Sequence, residues 1–282
     1  LRRGTSVVFS FQRVLGGRRI CPVRRENQMK RFYMLFALVL GLLLTGCATG
    51  RWGTRNKPFL VGANPDYPPI VYKESGMVVG VEADLALMIA ARLNRTVRFV
   101  QLDWDEQVGA LLTGEVDILM SGLTVTDARR ARMDFTDPYL QIGQMVLVRR
   151  RDLPKYAGVK DFMSAGISVG VQHGTTGDML VQKKLPRARR VQYMIPSDAA
   201  LDLLRNRRID AFVHDAPSIW WLASQYESEL AMLPFALSEE YLAWGVHRDN
   251  AALRGQINRM LDEWKRDGTL RAVLKKRLPI VE

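Results

Sequence analysis

Three polar clusters hold the residues whose types and spacing could do chemistry. The first is Ser121-Gly122-Leu123-Thr124-Val125-Thr126-Asp127-Ala128-Arg129. The second is Gly170-Val171-Gln172-His173-Gly174-Thr175-Thr176-Gly177, and the third is His214-Asp215-Ala216. Each follows an apolar run that reads as a strand, and open α/β sheets bind ligands beyond the carboxyl ends of their strands. A guanidinium, carboxylates and hydroxyls suit recognition of a small polar molecule. Catalytic signatures are missing by comparison. The three histidines, His173, His214 and His247, lack metal-ligand spacing to one another. No P-loop, dinucleotide glycine fingerprint or nucleophile elbow occurs. We therefore expect no catalytic residue, no metal and no cofactor.

The elements that must position these clusters alternate. Phe59–Ala63 reads as a strand, followed by the turn-rich Asn64-Pro65-Asp66-Tyr67-Pro68-Pro69. Strands are expected at 78–81, 97–102, 116–120 and 145–149, with helices at 84–93, capped by Asp84, and at 105–112. Thr126 should cap a short helix. The rhythm repeats with strands at 167–171, 191–194 and 211–214 and helices opening after Gly174, at Ser197 and at Pro217. Residues 241–247 read as one more strand. Beyond it lies a long helix with Leu253, Ile257, Met260, Leu261 and Trp264 at helical spacing, then a final helix from Thr269. This β-α-β order argues for an α/β fold with largely parallel sheets. One echo points to paired lobes: Leu111-Leu112-Thr113-Gly114-Glu115-Val116-Asp117-Ile118 against Leu203-Leu204-Arg205-Asn206-Arg207-Arg208-Ile209-Asp210-Ala211. The late helices are expected to return to the first lobe.

The amino-terminal stretch has another character. Met29-Lys30-Arg31 is a short cationic start, and Phe32 to Leu44 is a charge-free apolar run of 13 residues, short for a membrane span. Leu44-Thr45-Gly46-Cys47 completes what resembles a bacterial lipoprotein signal, with Cys47 lipidated and first in the mature chain. Residues 1–28, with seven arginines and one acid, read as an overextended reading frame. Nine of the 41 basic residues and one of the 29 acidic residues lie in 1–46, so that stretch supplies +8 of the net +12. The remaining 236 residues carry only +4, which gives no reason to expect a nucleic-acid partner. Cys21 is the other cysteine, so no disulfide is expected.

From residue 58 to 280 the chain resembles family 3 of the bacterial extracellular solute-binding proteins, the polar-amino-acid capture subunits of ABC importers. The resemblance rests on ordered motifs: Val61-Gly62 with Tyr67-Pro68-Pro69, Gly80-Val81-Glu82-Ala83-Asp84-Leu85, Leu102-Asp103-Trp104-Asp105, Thr124-Val125-Thr126-Asp127-Ala128-Arg129, Asp134-Phe135-Thr136-Asp137-Pro138-Tyr139, Gly170-Val171 with Gly174-Thr175-Thr176, Asp210-Ala211 and Asp215. It implies a two-lobed periplasmic-binding-protein fold (type II), with two hinge strands and the ligand in the interlobe cleft. The hinge strands would fall at 146–150 and 241–246. The implied division is a tether at 47–57, lobe 1 at 58–147 plus 243–282, and lobe 2 at 148–242. Also implied are an amino-acid ligand, an ABC permease partner, a monomer and a periplasmic or cell-surface site.

Five positions would then hold the backbone of an α-amino acid. Arg129 and Thr176 would take the carboxylate, the first through a planar guanidinium and the second at a helix N-terminus. Asp215 would take the ammonium, helped by the Gly122 carbonyl and the Thr124 hydroxyl. Tyr67 and Trp104 correspond to walls around the ligand side chain. Asn64 falls where binders of cationic amino acids often place an acid, and its neutrality weighs against lysine or arginine unless Asp66 or Glu82 compensates. Gln172 and His173 would face the cleft mouth, while Met77 and Met179 read as packing residues. Two alternatives share the fold: a cyclohexadienyl dehydratase-like enzyme, with Asp215 or Glu82 as proton donor, and a sensory binding protein. For the leader, Cys47→Ser should abolish acyl labelling and release the protein from membranes; labelled-palmitate incorporation and membrane fractionation check this.

Overall fold

The computed structural model describes residues 57–279. The leader, the lipidation position Cys47 and nearly all of the tether lie outside the described residues. The described residues belong to one compact unit. Two five-stranded mixed sheets organise it.

The first sheet runs in the order β5 (Val97–Gln101), β1 (Phe59–Ala63), β6 (Ile118–Leu119), β15 (Gly245–Val246) and β7 (Asp134–Phe135). The first three are parallel, and β15 is antiparallel to both its neighbours. The second sheet runs β11 (Arg189–Tyr193), β10 (Ser168–Gln172), β12 (Ala211–Asp215), β9 (Gln144–Arg149) and β13 (Leu230–Met232). Here β10 is parallel to β11 and β12, and β9 is antiparallel to β12 and β13. Between the sheets, β8 (Leu140–Ile142) and β14 (Glu240–Leu242) pair antiparallel as a two-stranded ribbon. A small antiparallel sheet of β2 (Asp66–Tyr67), β3 (Val71–Glu74) and β4 (Met77–Val79) follows β1.

Helices cover the sheets. On the first lobe these are α1 (Val81–Arg92), α2 (Gln107–Leu112) and α3 (Asp127–Arg130). The second carries α4 (Val159–Ser164), α5 (Thr176–Lys184), α6 (Pro196–Leu201) and α7 (Ala216–Gln225). The long α8 (Ala251–Arg266) and α9 (Thr269–Arg277) end the described chain. The apolar stripe of α8 buries Leu253, Ile257, Leu261 and Trp264 in one cluster with Phe59 and Val61 of β1. The late helices thus return to the first lobe, because that stripe has no other apolar face to cover.

The sequence echo is structural. Asp117 accepts the N–H of Leu60 at 2.9 Å and is paired with Arg95. Asp210 accepts the N–H of Ser168 at 3.0 Å and is paired with Arg149. Each aspartate therefore anchors the start of the neighbouring parallel strand, β1 or β10, and each has an arginine as counter-charge. One device builds both lobes.

Several expectations need adjustment. Residues 146–149 lie in β9 of the second sheet, and the chain passes through the ribbon earlier, at 140–142. The stretch 241–247 is two strands, β14 in the ribbon and β15 in the first sheet, with Trp244 buried between them. Asp84 does not cap α1, which starts at Val81 after Gly80; it instead pairs with Lys276 and Arg277 of α9. Met77 and Met179 are 65 % and 47 % exposed, so neither is a core residue.

Gly143 joins β8 to β9 with its Cα against the other crossing. A Cβ there would stand 2.4 Å from the Ser238 carbonyl oxygen. Gly143→Ala must push the two crossings apart, and the expected loss is about 1–3 kcal/mol of stability, read from urea unfolding.

Candidate functional site

Where the two lobes meet, the carboxyl ends of β6, β10 and β12 converge on a small, nearly closed cavity. Asn64, Tyr67, Trp104, Gly122, Thr124, Arg129, Thr176 and Asp215 all line it, so the chain brings these eight sequence-selected positions together.

On the first lobe, the Thr126 hydroxyl caps α3 by accepting the N–H of Arg129 at 3.2 Å. The Arg129 Nη1 donates to the Thr124 carbonyl at 2.8 Å, and the guanidinium lies 5.3 Å from the centre of the Trp104 ring. Burial pulls this guanidinium's pKa down, opposed by the charges of Asp215 and Glu240. It stays a cation, with part of its donor set already oriented. The segment bearing Thr124 is fixed to the crossover ribbon: Thr124 bridges Leu242, and the Val125 N–H donates to the Tyr241 carbonyl at 2.9 Å.

Gly122 meets two demands at once. Its φ is +63°, and a Cβ would stand 2.3 Å from the ring of Tyr67. Its N–H donates to Glu82 Oε2 at 2.9 Å. Glu82 is fully buried in the first turn of α1, where the helix dipole favours an anion. Tyr139 Oη and Trp244 Nε1 donate to its Oε1 at 2.9 Å and 3.1 Å, and the two rings stack with centres 5.2 Å apart. Burial nevertheless dominates, and the carboxyl is pushed from 4.5 up to about 7.

On the second lobe, α5 presents its N-terminus. The Thr175 hydroxyl takes the Asp178 N–H at 3.3 Å, and an α-helix leaves its first N–H groups without intrahelical partners. Asp215 ends β12 and is 5 % exposed. It accepts the Tyr67 hydroxyl of the opposite lobe at 2.7 Å and the Gln144 amide. Burial pushes its pKa up, against the pull of His214, Tyr67 and Gln144. His214 is held neutral by burial. Its Nδ1 accepts the Asp215 N–H at 2.8 Å, so Nε2 carries the proton and donates to Gln172 Oε1 at 2.7 Å.

The hydroxyl of Thr176 is already engaged. It donates to Glu240 Oε2 at 2.7 Å and faces Gln144 Nε2 at 3.1 Å. Glu240 on β14 also accepts the Ser238 hydroxyl at 2.7 Å. Sequence reasoning missed both Gln144 and Glu240. Placing the crossing at 146–150 left Gln144 outside the frame, and a single glutamate on a strand belongs to no motif. Gln172 lines the cavity as expected, whereas His173 is exposed and bonded to Gln192 at 3.0 Å. Further contacts join the lobes: Trp104 Nε1 donates to the Gly174 carbonyl at 3.4 Å, and the rings of Tyr72 and Trp221 lie 5.5 Å apart.

The model of the bacterial extracellular solute-binding proteins, family 3, matches residues 59–279. The chain belongs to that family. It is 25 % identical over 259 residues to the arginine-binding extracellular protein ArtP of Bacillus subtilis, covering 88 % of this chain and 98 % of ArtP. Among solved structures, it is similar to the ancestral amino acid-binding protein AncCDT-1, described as a precursor of cyclohexadienyl dehydratase, at 31 % identity and a TM-score of 0.73 over 79 % of this chain and 96 % of that one. It is also similar to a putative binding component of an ABC transporter from Wolinella succinogenes complexed with lysine, at 25 % identity and a TM-score of 0.76 over 81 % and 97 % of the two chains. The fold is the type II, two-lobed one of these amino-acid-binding proteins, and the chain's role is solute binding.

The buried Glu82 gives this family member a pH signature. Its folded pKa lies above its ordinary value, so the folded state holds a proton that the unfolded chain releases between pH 4.5 and 7. Stability relative to Glu82→Gln should therefore fall as pH rises through that window, by about 3 kcal/mol in all. Urea unfolding of both proteins at pH 4.5, 6 and 7.5 measures the slope.

Proposed function

We propose that this chain captures a polar α-amino acid between its lobes, closes on it, and presents it to an ABC permease from a lipid anchor on Cys47. One observation carries the reading. Arg129 from the first lobe and Asp215 from the second face the same small cavity, giving opposite charges on opposite walls. A free α-amino acid is a carboxylate and an ammonium two bonds apart, and few other metabolites need both poles so close. In this reading Arg129 and the first N–H groups of α5 hold the carboxylate, while Asp215 and the Gly122 carbonyl hold the ammonium. Thr124 keeps Arg129 in place through its carbonyl. Asn64, Tyr67 and Trp104 surround the side chain.

The relatives support this reading by what they are named for: ArtP for arginine, AncCDT-1 for amino acids, the Wolinella protein for its lysine complex. Binding without catalysis is the form we favour. Glu82, one of the two proton donors a dehydratase on this fold could use, sits behind Gly122 with three donors on its carboxylate and does not line the cavity. The cavity walls come from both lobes, so a ligand that touches both stabilises the closed arrangement specifically.

Calorimetry against the twenty amino acids, with prephenate as a further arm, tests the assignment. Arg129→Ala and Asp215→Ala should each lose about 2–5 kcal/mol of binding, the cost of leaving one desolvated charge without its partner. Trp104→Ala should lose less and change ligand preference. Absence of amino-acid binding by the wild type, or undiminished binding by both charge-removing variants, would reject the site.

A further inference from the structure

Two wall residues of the cavity, Asp215 at the end of β12 and Thr176 at the start of α5, meet behind the wall on one side chain. Gln144, the first residue of β9, is fully buried and is the register partner of Asp215. Its Nε2 donates to Asp215 Oδ1 and to Thr176 Oγ1 at 3.1 Å, and lies 3.3 Å from Glu240 Oε2. The Thr176 hydroxyl donates its own proton to Glu240 at 2.7 Å, which leaves its lone pairs to accept from the amide. The main chain of Gln144 reaches the same acid. Its N–H donates to Ser238 Oγ at 3.0 Å, and the Ser238 hydroxyl donates to Glu240 Oε1 at 2.7 Å. A closed ring of hydrogen bonds therefore ties both wall residues to β14 of the crossover ribbon. Neither Gln144 nor Glu240 lines the cavity.

The seat admits one orientation of the amide. Turned over, it would point Oε1 lone pairs at the carboxylates of Asp215 and Glu240. As it stands, Oε1 has no partner among the described residues and packs against Gly177, where a Cβ would stand 2.6 Å away. A buried acceptor without a donor costs free energy, so the bonds made by Nε2 must hold the group in place. Those bonds matter most at Asp215. Tyr67 donates to its Oδ2 from the first lobe, and Gln144 is the one donor to its carboxylate from its own lobe among the described residues. Facing it too are His214, held neutral beside it, Glu240, whose charge opposes its ionisation, and Arg129 and Tyr139 from the first lobe. Resting on the amino-acid reading above, we infer that Gln144 is a positioning residue. From behind the wall it fixes the Asp215 carboxylate and the start of α5, and registers both to the crossover ribbon. A donor on Oδ1 also favours the ionised carboxylate that an ammonium group needs.

Carbon-13 NMR of the Asp215 carboxyl, with no amino acid added, reads this role directly. Gln144→Met keeps most of the side-chain volume and removes the donor, so the Asp215 titration should move upward by about one pH unit. Glu240→Gln keeps an acceptor for Ser238 and Thr176 but removes a neighbouring negative charge, so the titration should move downward. A merely structural loss lowers the melting temperature of both variants without opposite movements. Calorimetry with L-arginine and L-glutamine from pH 5 to 9 should follow the same order. Gln144→Met should bind about tenfold more weakly at pH 7, and its acid-side loss of binding should begin at higher pH than in the wild type. Gly177→Ala presses on Oε1 without touching Asp215 and should also move the titration upward; it decides the matter should Gln144→Met fail to fold. An Asp215 titration unmoved in Gln144→Met, or in Gly177→Ala where that variant stands in, would overturn the inference. So would movement in the same direction in Gln144→Met and Glu240→Gln. Failure of every amino acid to bind would instead remove the amino-acid reading, while the carboxyl titration still decides what Gln144 does to Asp215.

Discussion

The pairing of Leu140–Ile142 with Glu240–Leu242 is the constraint from which the rest of the molecule follows. Two parallel-rich sheets can each bury a core unaided, but a cleft between them needs a fixed yet bendable connection. An antiparallel ribbon of three residues a side gives a fixed register with few bonds to deform. It also joins the cavity wall directly, because the Thr124 segment bonds to Tyr241 and Leu242, and Gly143 lies against Ser238. Hinge and cavity wall therefore share backbone hydrogen bonds, and a rotation of one moves the other.

Burial of ionisable groups is the second organising cost. Glu82, Asp215 and His214 are all nearly inaccessible, and each is offset differently. Glu82 collects three donors, one of them the Gly122 N–H, so its burial shapes the loop that faces the cavity. His214 stays neutral and spends both ring nitrogens on neighbours. Asp215 is left with acceptor capacity toward the cavity after Tyr67 and Gln144 have bonded to it. Three buried groups thus divide the work, two holding the walls and one facing inward.

Much of the lobe architecture was legible because it rests on strong local signals. Strands such as Phe59–Ala63 and Ala211–Asp215 are short apolar runs between turn residues, and α8 announces itself by its stripe. The polar clusters were legible because parallel strands end at one edge, so residues following β6, β10 and β12 had to converge. What escaped notice was set by long-range pairing. Residues 241–247 form one apolar run in sequence, and only pairing with β8 and then with β6 and β7 divides it between two sheets. Asp84 looks like a cap until α9 brings Lys276 and Arg277 beside it. Gln144 and Glu240 act through partners 32 to 96 residues away, and no local pattern encodes such a meeting.

The aromatic seam between the lobes has an optical consequence. Trp220 packs on the first-lobe core from α7, Trp221 meets Tyr72 across the same boundary, and Trp104 reaches the Gly174 carbonyl. Half of the chain's six indoles therefore sit where separation of the lobes would admit water, while Trp244 and Trp264 stay inside the first lobe. Separation would move the emission of the first group to longer wavelength against a constant background from the second. The molecule carries its own gauge of opening, readable in real time without a label.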